Sequence, residues 1–256
     1  MSQAKISRIE NGVGAASPSD VERIARALGA PQATIDRLVE QAARSNDRMT
    51  DWRSIGRLPV EIQREIMQLE ATAGVIRIFQ PNVVVGLAQT SEYARAVLSA
   101  SYELLTSVLG ERGFAAVPEA VSARVRRQEV LADPDKEFHF LMMEAVLSNR
   151  FGRPEDMPAQ IHRLCELAEQ DNVTLRIIPA DAELPIPPYH GFELLDERWV
   201  MIDLFNTELT MLGQADMALY RLLFDRLDAS AAVDIQPILD RYLEFYLDLS
   251  RPRRRA

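Results

Sequence analysis

The sequence contains one cysteine, Cys165, and no long apolar segment. A single cysteine excludes an internal disulfide and is typical of a protein that works in the reducing cytoplasm. No apolar run approaches the roughly 20 residues of a membrane-spanning helix, and the N-terminus lacks the layout of a signal peptide. These absences predict a cytoplasmic protein without a membrane partner.

The sequence also lacks the motifs of the common enzyme classes. No P-loop, GxGxxG, GxSxG or HExxH pattern occurs, so nucleotide, serine-hydrolase and metalloprotease functions have no support. His139, His162 and His190 are scattered. His162 lies three residues before Cys165, but a zinc site needs three or four ligands and no second cluster supplies them. We therefore predict no enzyme activity, no catalytic residue, no metal and no cofactor.

Positive charge is in the minority, with 29 Lys and Arg against 38 Asp and Glu and a formal net charge of −9. This balance argues against a protein that coats nucleic acid over its whole surface. The first 50 residues differ, because seven basic side chains there outnumber six acidic ones. A weakly positive segment is compatible with a local DNA contact.

The chain opens with the pattern of a short amphipathic helix, SQAKISRIENG over residues 2–12. Ser2 is expected to cap the helix, Ile6 and Ile9 share one face, and Gly12 is expected just past the end. The other positions carry small or donor-bearing side chains, which suit a helix that reads the DNA major groove. The predicted DNA-binding residues are Ser2, Gln3, Ala4, Lys5, Ser7 and Arg8.

This opening stretch resembles the recognition helix of XRE (Cro and phage-repressor-like) helix-turn-helix proteins, and the match continues through Ser17–Gly29. The resemblance implies that residues 1–44 form a partial helix-turn-helix unit and that its partner is operator DNA. Phosphates are then expected at Lys5, Arg8 and Arg26, and a homodimer is expected because such units read paired half-sites.

The two helices that precede the recognition helix in that family are absent from this sequence. We expect that Met1 stands inside a longer reading frame, and an in-frame stop codon immediately upstream of Met1 would exclude this. The alternative is an N-terminally shortened protein that has lost DNA binding.

Residues 45–58 are a predicted polar linker, in which Trp52 is a docking anchor. After this linker, predicted helices alternate with short strands. Val75–Phe79 is a predicted strand, and Gly191–Leu195 and Trp199–Phe205 form a predicted hairpin. The predicted fold class is α+β (mixed α/β): the partial all-α helix-turn-helix unit precedes a larger domain, 59–249, with one mixed sheet flanked by helices. Residues 250–256 are a predicted basic tail.

The larger domain contains a series of short motifs in a fixed order: Leu69-Glu70-Ala71, Ile76–Pro81, Gly86–Thr90, Tyr93-Ala94-Arg95 and Arg127-Gln128-Glu129. With these motifs the domain resembles the C-terminal domain of actinobacterial regulators of the WhiJ type, which are antitoxin-like. The resemblance implies transcription regulation by a domain that dimerises, binds a small partner protein of the BldB-related type or senses a ligand.

Carboxylates at predicted strands or strand ends leave a second function open, because paired acids can perform acid–base chemistry. They are Glu144, Glu193, Asp203 and Glu208. A deep pocket lined by Glu144, Asp203 and His190 would favour an enzyme or small-molecule-binding protein built on the larger domain after loss of DNA binding. The predicted ligand or partner site comprises Glu144, Tyr189, His190 and Asp203.

Overall fold

A computed structural model of the chain describes residues 2–10, 16–45, 59–109, 117–196, 198–205 and 208–251. Predictions for Met1, Gly12, Trp52, most of the linker and most of the basic tail lie outside these residues. The described part forms the following helices and strands: α1 Gln3–Glu10, α2 Pro18–Ala27, α3 Gln32–Ser45, α4 Pro59–Thr72, β1 Val75–Gln80, α5 Ser91–Leu109, α6 Val117–Arg127, β2 Glu137–Met143, α7 Ala145–Ser148, α8 Met157–Ala168, β3 Val173–Ile178, β4 Phe192–Leu195, β5 Trp199–Asp203, β6 Glu208–Met211, α9 Gln214–Asp228 and α10 Gln236–Ser250.

The first two helices have the N-terminal caps that the sequence predicts. Ser2 Oγ accepts the Lys5 backbone N–H at 3.3 Å, and Ser17 and Asp20 form a reciprocal capping box at the start of α2. Gly29 follows α2 with a φ of 72°, a left-handed conformation that glycine adopts without strain. α3 packs against α2 through an apolar stripe that includes the buried Ala25 and Ile35.

The larger domain is built on one six-stranded sheet with the order β3-β2-β1-β4-β5-β6. β1, β2 and β3 are parallel, and β4, β5 and β6 continue as an antiparallel meander. The parallel half needs long crossovers, which α5, α6 and α8 supply. The mixed α/β fold class is therefore confirmed.

The two faces of the sheet are covered by different helices because successive side chains of a strand alternate between faces. On the helix-rich face, Ile78, Phe140 and Ile177 pack beneath α4, α5, α8 and α10 in the larger apolar core. On the α9 face, Phe79 and Phe192 pack beneath α9. None of the described helices is long and apolar enough to cross a membrane.

The predicted hairpin is confirmed, with β4 and β5 joined at Asp196 and Arg198. Asp196 has a positive φ of 52°, and its Oδ1 accepts the N–H groups of Gly74 and Val75, so the turn is fixed to the start of β1. Strand β6 was not predicted, because its four residues are too few to show an alternating pattern.

Candidate functional site

Helix α1 presents the side chains that the sequence assigns to DNA contact. Ser2, Gln3, Lys5 and Ser7 are exposed. Ala4 and Arg8 belong to the same helix, and their side chains lie outside the described part of the structure. Ile6 is 37% exposed, so the apolar side of α1 is only partly covered by the described residues.

Lys5 is tied to the second helix by an ion pair. Its Nζ lies 2.7 Å from Oδ2 and 2.8 Å from Oδ1 of Asp20, a buried carboxylate that also completes the α2 capping box. Hydrogen bonds from Lys5 and Ser17 lower the pKa of Asp20 to about 2. The side chain of Lys5 remains 52% exposed. Its ion pair with Asp20 orients α1 against α2.

The larger domain contains a cluster of ionisable side chains between α4, α6 and the helix-rich face of the sheet. This charged cluster comprises Glu70, Arg124, Arg127, Glu193 and Asp203. At its centre Arg127 of α6 makes two parallel hydrogen bonds to Glu70 of α4, Nε to Oε2 at 3.0 Å and Nη2 to Oε1 at 2.6 Å. Arg127 is 3% and Glu70 1% exposed at their side chains. Burial disfavours the Arg127 cation, but the Glu70 carboxylate outweighs burial and raises the pKa of Arg127.

Arg124, one helical turn before Arg127, has a different set of partners. Its Nε donates to Gln63 Oε1 at 3.2 Å and its Nη1 to Gln89 Oε1 at 3.1 Å, so both acceptors are neutral amides. Gln63 Oε1 also accepts Arg127 Nη1 at 2.8 Å. Burial and the neighbouring Arg127 cation lower the pKa of Arg124 to about 10.

Two carboxylates of the sheet, Glu193 of β4 and Asp203 of β5, provide the negative charge that faces Arg124. Glu193 Oε2 is shielded from solvent and has no hydrogen-bond partner within the described residues. Burial raises the pKa of Glu193 to about 7, Arg127 and Arg124 oppose the shift, and Glu70 and Asp203 add to it. The cluster thus holds a carboxyl group that titrates near neutral pH.

Residues of the motifs that support the second resemblance lie beside this cluster, and several of them are hydrogen-bonded to one another. Gln89 Nε2 donates to the Val84 carbonyl at 2.7 Å, and Gln128 Nε2 donates to the Gln89 carbonyl at 2.5 Å. Gln160 of α8 is fully buried, donates to the Ala88 carbonyl at 2.7 Å and accepts the Thr90 N–H at 2.8 Å. These glutamines satisfy the backbone of the segment 84–90, which lies in the interior without strand partners.

The four residues of the predicted ligand or partner site are not brought together. Glu144, which follows β2, accepts two hydrogen bonds from α10 at its Oε1, one from Arg241 Nη2 at 2.6 Å and one from the Tyr242 hydroxyl at 2.9 Å. Its other oxygen accepts the Ala180 N–H at 3.0 Å. Glu144 therefore joins α10 to the loop after β3, on the helix-rich face.

The other three predicted site residues lie elsewhere. His190 contacts the Tyr220 ring of α9 at 5.9 Å between centroids, on the opposite face of the sheet. Tyr189 is 85% exposed. Asp203 is on β5, three strands from β2, or about 14 Å at the usual strand spacing. Only Asp203 belongs to the charged cluster.

His162 and Cys165 lie on α8, and Cys165 Sγ is 3.9 Å from Gln236 Nε2. Burial raises the pKa of the Cys165 thiol. Within the described ranges no group of three or more His, Cys, Asp or Glu side chains is placed to hold a metal ion.

The capped N-terminal helices precede a larger α/β domain built on one mixed sheet. Residues 1–38 match a sequence model described as a helix-turn-helix domain. Residues 63–236, more than half of the chain, match the family described as a domain of unknown function, DUF5753. The chain belongs to this family. No curated protein matches the sequence.

Proposed function

We propose that the chain is a transcriptional regulator of the XRE type that binds operator DNA in the cytoplasm. The observation that carries the proposal is the match of residues 1–38 to a helix-turn-helix domain. The exposed donors of α1, the helix that resembles a recognition helix, support it, because amide and hydroxyl groups pair with base edges in the major groove.

The side chains of α1 have separate roles in this proposal. Gln3 and Ser7 read base edges, and Ala4 and Ser2 allow the helix to approach the groove. Lys5 positions α1 through Asp20 and adds positive charge near the phosphates. Arg8 is a further phosphate contact.

The proposal assigns regulation, not catalysis, to the C-terminal domain. In an antitoxin-like arrangement of the WhiJ type this domain dimerises, binds a small partner protein of the BldB-related type or senses a ligand. For a homodimer, α9 offers Leu219 and Leu222, which lie three residues apart and are 59% and 51% exposed. Light scattering should show a dimer that Leu222→Glu converts to a monomer.

A second candidate function is small-molecule binding by the C-terminal domain without DNA binding. It is favoured by the charged cluster, where among the described residues Glu193 Oε2 has no hydrogen-bond partner and the side chain of Arg124 donates to the amides of Gln63 and Gln89. Clusters with shifted pKa values often mark functional sites.

Selection from a pool of random DNA duplexes tests the two functions against each other. The regulator should enrich a two-fold symmetric sequence with half-sites about one helical turn apart. The same selection on a chain extended through any codons in frame before Met1 tests the expected longer frame. If neither form enriches a sequence, the DNA-binding proposal is wrong and the second function is favoured.

A further inference from the structure

A cleft of about 300 Å³ lies on the α9 face of the sheet, on the opposite side from the charged cluster. Its apolar wall is formed by Leu194 of β4 with Met217 and Ala218 of α9. Arg77 of β1 and Arg221 of α9 also line it. A concave apolar space with a few polar groups is the usual form of a small-molecule site, and this volume suits a compact ligand.

Arg77 is the unusual member of this lining. It is half-buried on the central part of the sheet, where its strand neighbours are His139 of β2 and Leu194 of β4. No hydrogen bond or ion pair joins Arg77 to the part of the chain that the structure describes. Arg77 is therefore a cation that can take an anionic ligand without first breaking an ion pair within the described residues.

Three carboxylates of this face have other contacts. Glu137 Oε2 lies 3.7 Å from His139 Nε2. Asp196, at the rim of the cleft, accepts the Gly74 and Val75 N–H groups at 2.9 and 2.8 Å. Asp228 pairs with Arg176, Nε to Oδ1 at 3.1 Å. None of these three carboxylates forms a hydrogen bond or ion pair with Arg77.

His139 extends the polar floor beside Arg77. Its Nε2 is shielded from solvent and has no hydrogen-bond partner within the described residues. Burial and the Arg77 cation lower the pKa of His139, so the imidazole is neutral at pH 7 and does not compete with Arg77 for an anion.

We propose that this cleft binds a compact organic carboxylate. The carboxylate group lies against the Arg77 guanidinium, with Arg221 as a second cation at the rim, and the apolar body packs against Leu194, Met217 and Ala218. Charge-assisted hydrogen bonds from arginine to a carboxylate are short and directional, which explains why the site uses arginine. The site is independent of DNA binding by α1.

Fluorine NMR of the full chain without DNA tests the site directly. The probes are difluoroacetate, para-fluorobenzoate and para-fluorophenylacetate, each beside its neutral amide. At least one carboxylate should bind, its amide should not, and Arg77→Met should weaken binding by about tenfold. The control is Arg95→Met, which removes an exposed cation of α5, over the other face of the sheet. It should leave binding unchanged.

A second variant separates loss of the site from loss of the fold. Ala218 has an exposed side chain, so Ala218→Leu fills the cleft without removing a charge or a core contact. It should abolish binding while thermal unfolding stays as in the wild type. The proposal is overturned if no carboxylate binds, if the amides bind equally well, or if either Arg77→Met or a folded Ala218→Leu binds like the wild type.

Discussion

Arg127 and Glu70 form a buried ion pair with two parallel hydrogen bonds, and this pair joins α6 to α4 above the sheet. Both residues belong to motifs on which the resemblance to WhiJ-type regulators rests. Within the described residues, Arg124, one turn away, and Glu193, on the sheet below, form no such ion pair. The pair thus fixes the framework in which the less satisfied charges of the cluster are held.

Glu70→Gln should destabilise the chain strongly. The substitution preserves shape but leaves the Arg127 cation buried without its counter-charge, which costs about 3–5 kcal/mol. Urea denaturation measures the change. Asp248→Asn, which breaks the exposed pair with Arg251, is the control and should cost about 0.5 kcal/mol or less. Equal losses in the two variants would contradict the role assigned to the buried pair.

Glu193 should make the protein less stable as the pH rises. The folded chain holds the Glu193 proton more tightly than the unfolded chain, so stability is lost between the ordinary pKa of 4.5 and the raised pKa of about 7. Between about pH 6 and about pH 8, the free energy of unfolding should fall by about 1 kcal/mol more in the wild type than in Glu193→Gln.

The control for Glu193 is Asp171→Asn, which removes an exposed carboxylate from the turn before β3. Its pH dependence should match that of the wild type. A Glu193→Gln chain with the wild-type pH dependence would show that Glu193 does not titrate in this window.

Asp20→Asn should loosen α1. Because the pKa of Asp20 is lowered to about 2, its contribution to stability is complete above the ordinary pKa of 3.8 and is lost as the pH falls towards 2. At neutral pH the substitution removes the Lys5 ion pair and weakens the capping box. Hydrogen exchange of the α1 amides should accelerate, whereas Glu22→Gln, at an exposed pair with Arg26, should leave it unchanged.

Gln160→Leu should destabilise the C-terminal domain by about 2 kcal/mol, because it leaves the Ala88 carbonyl and the Thr90 N–H without their buried partner. Thermal unfolding followed by circular dichroism measures the change. Gln68→Leu, on the exposed side of α4, is the matched substitution and should have little effect. Similar losses at both positions would show that the glutamine bridge is not stabilising.

Local signals in the sequence predicted much of the fold. Ser17, Pro18 and Gly29 mark the ends of α2, and the β-branched and aromatic residues of Val75–Phe79 mark β1. The order of the strands depends on contacts between residues far apart in the chain, which no local pattern encodes. Strand β6 was missed because its four residues are too few to show an alternating pattern.

The charged cluster was predicted only in part. Asp203 and Glu193 were singled out as strand-end acids, but Arg124, Arg127 and Gln63 were not connected with them. Helical spacing places Arg124 and Arg127 on one face of α6, yet only the packing of α6 on α4 and the sheet brings that face to the acids. Glu144 and His190 were grouped by their chemistry, and the sheet separates them.

Fluorescence anisotropy tests the DNA-binding proposal most directly. A duplex of the selected sequence is titrated with the wild type, with Gln3→Ala and with the control Gln68→Ala, near physiological salt and at higher salt. The account predicts tight binding to the selected duplex that weakens as the salt concentration rises. Gln3→Ala should lower the affinity for the selected duplex by about tenfold and leave the affinity for a scrambled duplex unchanged, and Gln68→Ala should change neither affinity. Equal affinity for the selected and a scrambled duplex, or no effect of Gln3→Ala, would contradict it.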